Sequence, residues 1–169
     1  MTARLIGFIL LVFGITASAQ VTPSDSAQDA SSDNGRLTLV FAPFLYHLHY
    51  DANHNDEPWL TGLEWEPRQS PVEFGAVYFR NSFYQDSVYA YVGKRWFISD
   101  DKEGVFLNLT GGPLYGYRGK YEKKVPYNHH GLGVAIIPAI GYQYRSASAQ
   151  LIILGTAALM VSFGYDFGR

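Results

Sequence analysis

The stretch "AALMVSFGYDF", Ala157–Phe167, alternates apolar residues with small or polar ones along its whole length. Successive side chains of a β-strand point to opposite faces, so the residues divide into two sets. One face carries Ala157, Leu159, Val161, Phe163, Tyr165 and Phe167. The other carries Ala158, Met160, Ser162, Gly164 and Asp166. An apolar face that ends in aromatics, opposite a small and polar face, is typical of a strand between lipid and a barrel interior.

The same period of two begins at Leu37 and continues to the end of the chain. Turn residues divide it into eight strands. The predicted strands are Leu37–Tyr50, Trp59–Glu66, Val72–Ser82, Ser87–Ile98, Val105–Arg118, Gly133–Tyr144, Gln150–Leu154 and Ala157–Phe167. Short turns alternate with connections of more variable length, as in transmembrane barrels. The sequence therefore predicts an all-β fold, an eight-stranded antiparallel outer-membrane β-barrel over residues 37–169.

The side chains of two further strands support a lipid-facing outer surface. In the fourth strand, one face consists of Val88, Ala90, Val92, Trp96 and Ile98. In the fifth strand, the apolar face is assigned Val105, Leu107, Leu109, Tyr115 and Tyr117. Lys94 falls on the apolar face and is expected to reach toward an interface. A soluble lipocalin-like barrel would alternate similarly, but it would bury its apolar face and expose its charges.

The N-terminal part of the chain has the composition of an export signal followed by a linker. Residues 1–19 combine a basic start at Arg4, a short apolar run and the small residues Ala17-Ser18-Ala19. This pattern predicts a cleaved signal peptide, since the apolar run is too short to span a bilayer. Residues 20–36 are rich in Ser and Asp and predict a disordered leader. The predicted location is the outer membrane.

Composition excludes some classes of function. The formal net charge is −2, so no basic bias indicates a nucleic acid partner. The 13 tyrosines suit a protein with aromatic residues at lipid–water boundaries. Eight strands form a narrow barrel, whose interior is filled by side chains or holds one small ligand. A wide diffusion pore is therefore not expected, and the chain is predicted to be monomeric and to need no cofactor.

The histidine-bearing stretch "FLYHLHYD", Phe44–Asp51, leaves three interpretations open. His47 and His49 share a face of the first strand, so they could bind a metal, remain rim polar groups or form part of an active site. The stretch "FRNSF", Phe79–Phe83, places Ser82 at the same predicted rim. A histidine base beside a serine hydroxyl is a pairing that acyl transfer uses. No nucleophile-elbow motif accompanies it.

From about Leu39 onward the chain resembles the lipid A palmitoyltransferase family. The similar segments, in the family's order and spacing, are "YHLHYD", "EPW", "FRNSF", "AYVGKRW", "IIPAIGY" and "LGT". The resemblance implies an outer-membrane barrel with an interior acyl pocket. It implies a phospholipid as acyl donor and lipid A or a related glycolipid as acceptor. It also implies that His47 and Ser82 are catalytic, and that Gly93 forms the pocket floor.

Several positions depart from the family's pattern. Asn81 stands where the family has an Asp beside its serine, and we expect its amide to donate a hydrogen bond to a developing oxyanion. Asp86 or Asp51 could then supply the missing carboxylate. The leader lacks the apolar stripe of the family's N-terminal helix. Three prolines of this chain resemble those that interrupt strand pairing near the family's lipid entry points: Pro43, Pro58 and Pro138. The alternative functions are a non-enzymatic structural, stress-response or adhesin barrel and a narrow transporter.

Overall fold

The computed structural model describes residues 35–48, 55, 59–100 and 102–167. Eight antiparallel strands close into one barrel in sequence order, with β8 paired to β1. The strands are β1 (Arg36–His47), β2 (Leu60–Glu66), β3 (Glu73–Arg80), β4 (Asp86–Phe97), β5 (Gly104–Tyr115), β6 (Leu132–Tyr144), β7 (Ala147–Leu154) and β8 (Ala158–Phe167). The predicted fold class is therefore confirmed.

The strand ends differ from the prediction where the chain turns across the barrel end. β3 ends at Arg80, so Ser82 lies in the turn that follows. β5 ends at Tyr115, and a short 3-10 helix at Gly119–Lys124, which we call the rim helix, follows it. Period-two alternation could not indicate this helix. The predicted signal peptide and the leader up to residue 34 lie outside the described residues.

The end of the barrel where β1 stops is called the site rim, because the candidate residues His47 and Ser82 lie there. Odd-numbered strands run toward the site rim, and even-numbered strands run away from it. Among the described residues, no helix is both long and apolar enough to cross a bilayer.

The outer surface of the barrel is apolar along every strand. In β8 the outward residues include Phe163, Tyr165 and Phe167, and the inward face holds small and polar residues, as predicted. Lys94 does point outward, and its Nζ lies 5.5 Å from the centroid of the Trp96 ring. Such a surface is the one that transmembrane barrels present to lipid, with water-facing groups inside.

The interior near the end opposite the site rim is filled by a network of charged and polar side chains. Arg95, whose side chain is 4% exposed, contacts Glu64, and its Nε lies 2.9 Å from Glu73 Oε2. Asn108 Nδ2 donates to Glu73 Oε1 at 2.8 Å. Buried charges are costly unless paired, and this network pairs each of them. The network therefore forms a packed layer below the site.

Candidate functional site

His47 and Ser82 meet at the site rim. His47 is the last residue of β1, and Ser82 lies two residues beyond the end of β3. The Nε2 atom of His47 is 2.8 Å from Ser82 Oγ, which is a hydrogen-bond distance. The two strands are separated by β2, so the pairing depends on how the barrel closes. The expected convergence is confirmed, whereas the catalytic roles stay predictions.

Asn81 fixes the turn that carries Ser82. Its Oδ1 accepts hydrogen bonds from the backbone N–H groups of Phe83 at 2.8 Å and Gln85 at 3.1 Å. Its Nδ2 donates to Ser87 Oγ at 3.1 Å, and the residue is 2% exposed. Asn side chains commonly hydrogen-bond the backbone two residues on. Asn81 does not line the cavity below, and its amide is engaged by the turn and by Ser87, while the expected oxyanion contact stays a prediction.

A second asparagine, which the sequence did not single out, anchors the same turn. The backbone N–H of Asn55 donates to the carbonyl oxygen of Ser82 at 2.8 Å, and its Nδ2 donates to the carbonyl oxygen of Asn81 at 3.4 Å. Asn55 is 4% exposed. In the sequence it belongs to the polar stretch "DANHNDEP", where no pattern distinguishes one asparagine from the other. The neighbouring residues His49, Asp51 and His54 lie outside the described residues.

Asp86 does not supply the carboxylate that Asn81 lacks. Its neighbour Ser87 is fully buried on the inner face, so the strand period turns Asp86 outward. There it lies opposite Arg80 in the β3–β4 ladder and hydrogen-bonds Tyr78. The expectation that Asp86 orients His47 is therefore wrong.

An apolar cavity of about 630 Å³ lies inside the barrel below the His47–Ser82 pair. Both residues line it, so the pair stands at its mouth. Its apolar walls include Val40, Leu60, Val77, Leu114, Ile137, Ile152 and Met160. The volume falls within the range of about 300–1,000 Å³ that is usual for small-molecule sites. The half of the interior next to the site rim is thus not filled by side chains.

Tyr91 lines the lower part of the cavity, whereas Gly93 does not line it. Tyr91 and Glu64 line the cavity, and the Tyr91 hydroxyl donates to Glu64 Oε1 at 2.6 Å. Gly93 points inward one step further from the site rim, opposite Thr110 of β5. A Cβ added at Gly93 would lie 2.8 Å from Thr110 Cγ2 and 3.1 Å from Glu73 Oε1. The role of Gly93 as the pocket floor stays a prediction, since Thr110 opposite it does line the cavity.

The cavity extends to the outer face between β6 and β7. The ladder between these strands covers only Ala139–Tyr144 of β6, so the part nearer the site rim is not paired with β7. Pro138 is the first residue beyond the ladder, and proline has no N–H to donate. Ile136 and Ile153, which point outward, also line the cavity. An apolar chain could therefore pass between the membrane and the cavity at this position.

The predicted interruption of strand pairing can be checked at Pro43 and not at Pro58. Pro43 lies within the irregular step between Phe41 and Phe44, where the register of the β1–β8 ladder shifts. Interruption of strand pairing at Pro43 is therefore confirmed. Pro58 lies outside the described residues.

Tyr117 lines the cavity, although the sequence placed it on the outer face. The strand ends at Tyr115, and Gly116 with φ 137° turns the chain inward. A Cβ at Gly116 would collide with Ser87, so the turn requires glycine. Burial raises the pKa of Tyr117 to about 12, so its phenol is neutral and able to donate a hydrogen bond.

Possible metal ligands do not cluster within the described ranges. Across residues 35–48, 55, 59–100 and 102–167, no group of three or more His, Cys, Asp or Glu side chains is placed to hold a metal ion. His129 and His130 are neighbours with their Nδ1 atoms 2.8 Å apart. They do not line the cavity.

Comparison with known proteins informs the fold. No protein family and no curated protein matches this chain. A solved structure titled "De novo design of transmembrane beta-barrels" superposes with a TM-score of 0.52 and 11% sequence identity. The match covers 79% of this chain and 97% of that one. At this identity the similarity shows the fold alone, a transmembrane-type β-barrel.

Proposed function

We propose that the protein is an outer-membrane acyltransferase that moves a palmitoyl-type acyl chain from a phospholipid to lipid A or a related glycolipid. The observation that carries the proposal is the position of the His47–Ser82 pair at the mouth of an apolar cavity. A base and a hydroxyl at a cavity mouth suit acyl transfer, since the reacting carbonyl of a lipid lies at the head of its apolar chain.

The cavity suits the donor's acyl chain in depth and in chemistry. Its wall on β1 extends from Val40 to His47, which at about 3.3 Å per residue is roughly 20 Å along the strand. Burial of each methylene group contributes about 0.8 kcal/mol, so a long chain would bind firmly. A chain that fills the cavity from Tyr91 upward would leave its ester carbonyl close to His47 and Ser82.

The proposed reaction begins with proton transfer to His47. A hydroxyl oxygen attacks the ester carbonyl carbon of the donor, and its proton passes to His47 Nε2. The tetrahedral intermediate collapses, and the protonated imidazole returns the proton to the leaving oxygen of the lysophospholipid. If Ser82 is the nucleophile, the acceptor hydroxyl repeats the step on an acyl-enzyme. If the acceptor hydroxyl attacks directly, Ser82 orients His47.

The outer-membrane assignment combines two observations with the sequence. The apolar outer surface suits a bilayer, and the opening between β6 and β7 lets a phospholipid chain enter from the side. The signal peptide predicted at residues 1–19 supports export. In Gram-negative bacteria both the donor and the acceptor would be present in that membrane.

Mass spectrometry of lipid A from cells with and without the protein tests the proposal. We expect a lipid A species that carries one additional palmitoyl group, and its absence in cells that express His47→Ala or Ser82→Ala. The matched controls are His129→Ala and Ser70→Ala, which change residues that do not line the cavity and should preserve the product. Unchanged lipid A and unchanged phospholipid in cells with correctly inserted wild-type protein would instead favour a non-enzymatic barrel.

A further inference from the structure

The rim helix and the residue before it carry a concentrated positive charge. Arg118, Lys120, Lys123 and Lys124 contribute four positive charges and Glu122 one negative charge, which gives a net charge of +3. The four basic residues are exposed. Within the described part of the chain, none of the three lysines forms an ion pair with a carboxylate.

Several cations toward the opposite end of the barrel form ion pairs with carboxylates. Arg36 pairs with Glu66 at 2.6 Å, Lys102 pairs with Glu66 at 3.1 Å, and Arg95 pairs with two glutamates. Three cations toward that end therefore have carboxylate partners within the chain, whereas the lysines of the rim helix face solvent at the other end. An external anion is the partner that this arrangement suits.

Stacking and hydrogen bonds hold the rim helix next to the His47–Ser82 pair. Tyr121 stacks on Phe83, with ring centroids 3.9 Å apart and planes inclined by 14°, and Phe83 directly follows Ser82. Gln85 Oε1 accepts from the backbone N–H of Arg118 at 2.9 Å, and Gln85 Nε2 donates to the carbonyl oxygen of Arg118 at 3.4 Å. The turn that carries Ser82 and the rim helix are thus fixed to each other.

Lys124 is the lysine nearest the reacting groups. It lines the cavity together with Ser82 and Phe83, and its Nζ lies 5.8 Å from the centroid of the Phe83 ring. Lys120 Nζ lies 5.0 Å from the centroid of the Tyr121 ring. Each ring of the Phe83–Tyr121 stack therefore has one lysine ammonium group close to it, at the edge of the cavity mouth.

We propose that Lys120, Lys123 and Lys124 form a binding site for the phosphate of the donor glycerophospholipid. The inference rests on the proposed acyltransferase function, because it takes the cavity as the site of the donor's acyl chain. In a glycerophospholipid only a few bonds separate the phosphate from the ester carbonyl. A carbonyl at His47 and Ser82 therefore brings the phosphate to the lysines, whose ammonium groups are suitable phosphate donors.

The expected contribution is large enough to measure. One lysine close to an anionic lipid group contributes roughly a five-fold increase in affinity, so three lysines contribute up to about a hundred-fold at low salt. Because the lysines are exposed, added salt should weaken this contribution.

Equilibrium binding of ether-linked lipids to the full-length barrel in neutral detergent tests the proposal without acyl transfer, since ether bonds are not cleaved by this chemistry. The probes are a dialkyl phosphatidylglycerol and the matching dialkylglycerol, which lacks phosphate. We expect the wild type to favour the phospholipid by about ten- to a hundred-fold at low salt. The variant Lys120→Gln/Lys123→Gln/Lys124→Gln should lose most of this preference. The matched variant Lys94→Gln/Lys102→Gln/Arg145→Gln removes three cations away from the site rim and should keep it.

Equal binding of the two lipids by the wild type, or an unchanged preference in the variant of the three rim-helix lysines, would overturn the inference. Inorganic phosphate at matched ionic strength should displace the phospholipid only weakly, since it lacks alkyl chains. Full displacement by inorganic phosphate would indicate a simple anion site and would also overturn the inference. A preference that depends on the three lysines, in a protein that transfers no acyl chain, would leave the phosphate site standing and remove the acyltransferase function. Acyl transfer by a protein whose lipid preference does not depend on the three lysines would leave the acyltransferase function standing and remove the phosphate site.

Discussion

The hydroxyl of Tyr91 donates a 2.6 Å hydrogen bond to Glu64 Oε1, and this contact holds the aromatic ring over the intervening strand β3. The ring lies against Gly75, where any side chain would collide with it. Glu64 is itself held by Arg95. This part of the cavity wall is therefore connected to the ion-pair network through Glu64.

The first prediction concerns the acyl-chain length. Tyr91→Ala removes the ring above Gly75, so the cavity deepens and the preferred chain should become longer. Tyr91→Phe keeps the ring and loses only the hydroxyl, so its preferred length should match that of the wild type. The measurement is mass spectrometry of the transferred chains from a mixed phospholipid pool. The same chain distribution in Tyr91→Ala and wild type would show that Tyr91 does not limit the depth.

The second prediction concerns Gly93, which the family resemblance makes the floor. A methyl group there would meet Thr110 Cγ2 at 2.8 Å and Glu73 Oε1 at 3.1 Å. Gly93→Ala should therefore lower the free energy of unfolding by about 1–3 kcal/mol, the usual cost of overpacking. The preferred chain length should change little. Urea unfolding in detergent measures the first effect, and a shorter product chain at unchanged stability would support Gly93 as the floor.

Features that follow from the local alternation of residues could be predicted from the sequence. Features that depend on contacts between strands were harder to predict. The period of two assigns each β8 residue to a face, and the structure confirms that assignment. The predicted strand ends placed His47 and Ser82 at the same rim, and the family resemblance assigned them a joint catalytic role. The inward position of Tyr117 was missed because Gly116 ends the alternation. The position of the Tyr91 ring depends on cross-strand contacts to Glu64 and Gly75, which are distant in sequence.

The third prediction concerns Asn81. Asn81→Ala removes the acceptor for the N–H groups of Phe83 and Gln85, so Ser82 should lose its fixed position. A displacement of about 1 Å at a reacting group can lower the rate roughly a hundred-fold. Asn81→Asp keeps the acceptor oxygens, and Ser87 can donate its hydroxyl proton to the new carboxylate. The rate of acyl transfer by Asn81→Asp should therefore stay close to that of the wild type. Equal loss in both variants would assign the amide a direct chemical role.

The fourth prediction uses the pKa of Tyr117. Burial raises this pKa to about 12, above the usual value near 10, so the unfolded chain ionises first as the pH rises. The contribution of the buried phenol to stability is complete below about pH 10 and is lost as the pH approaches 12. Urea unfolding of the wild type and of Tyr117→Phe should therefore give a difference that shrinks between pH 9 and pH 11. A difference that grows over this interval would mean that Tyr117 ionises readily in the folded barrel.

The last prediction distinguishes the two proposed routes at His47 and Ser82. If the 2.8 Å contact works as a unit, His47→Ala and Ser82→Ala should each lower kcat by at least about a hundred-fold, and the double variant should lose little more. Incubation of the wild type with phospholipid and no acceptor then separates the routes, because only a nucleophilic Ser82 becomes acylated. A protein mass increased by one acyl group would support an acyl-enzyme. The absence of that adduct in a protein that still transfers acyl chains would assign the attack to the acceptor hydroxyl, with Ser82 orienting His47. Additive losses in the double variant would contradict joint action of the pair.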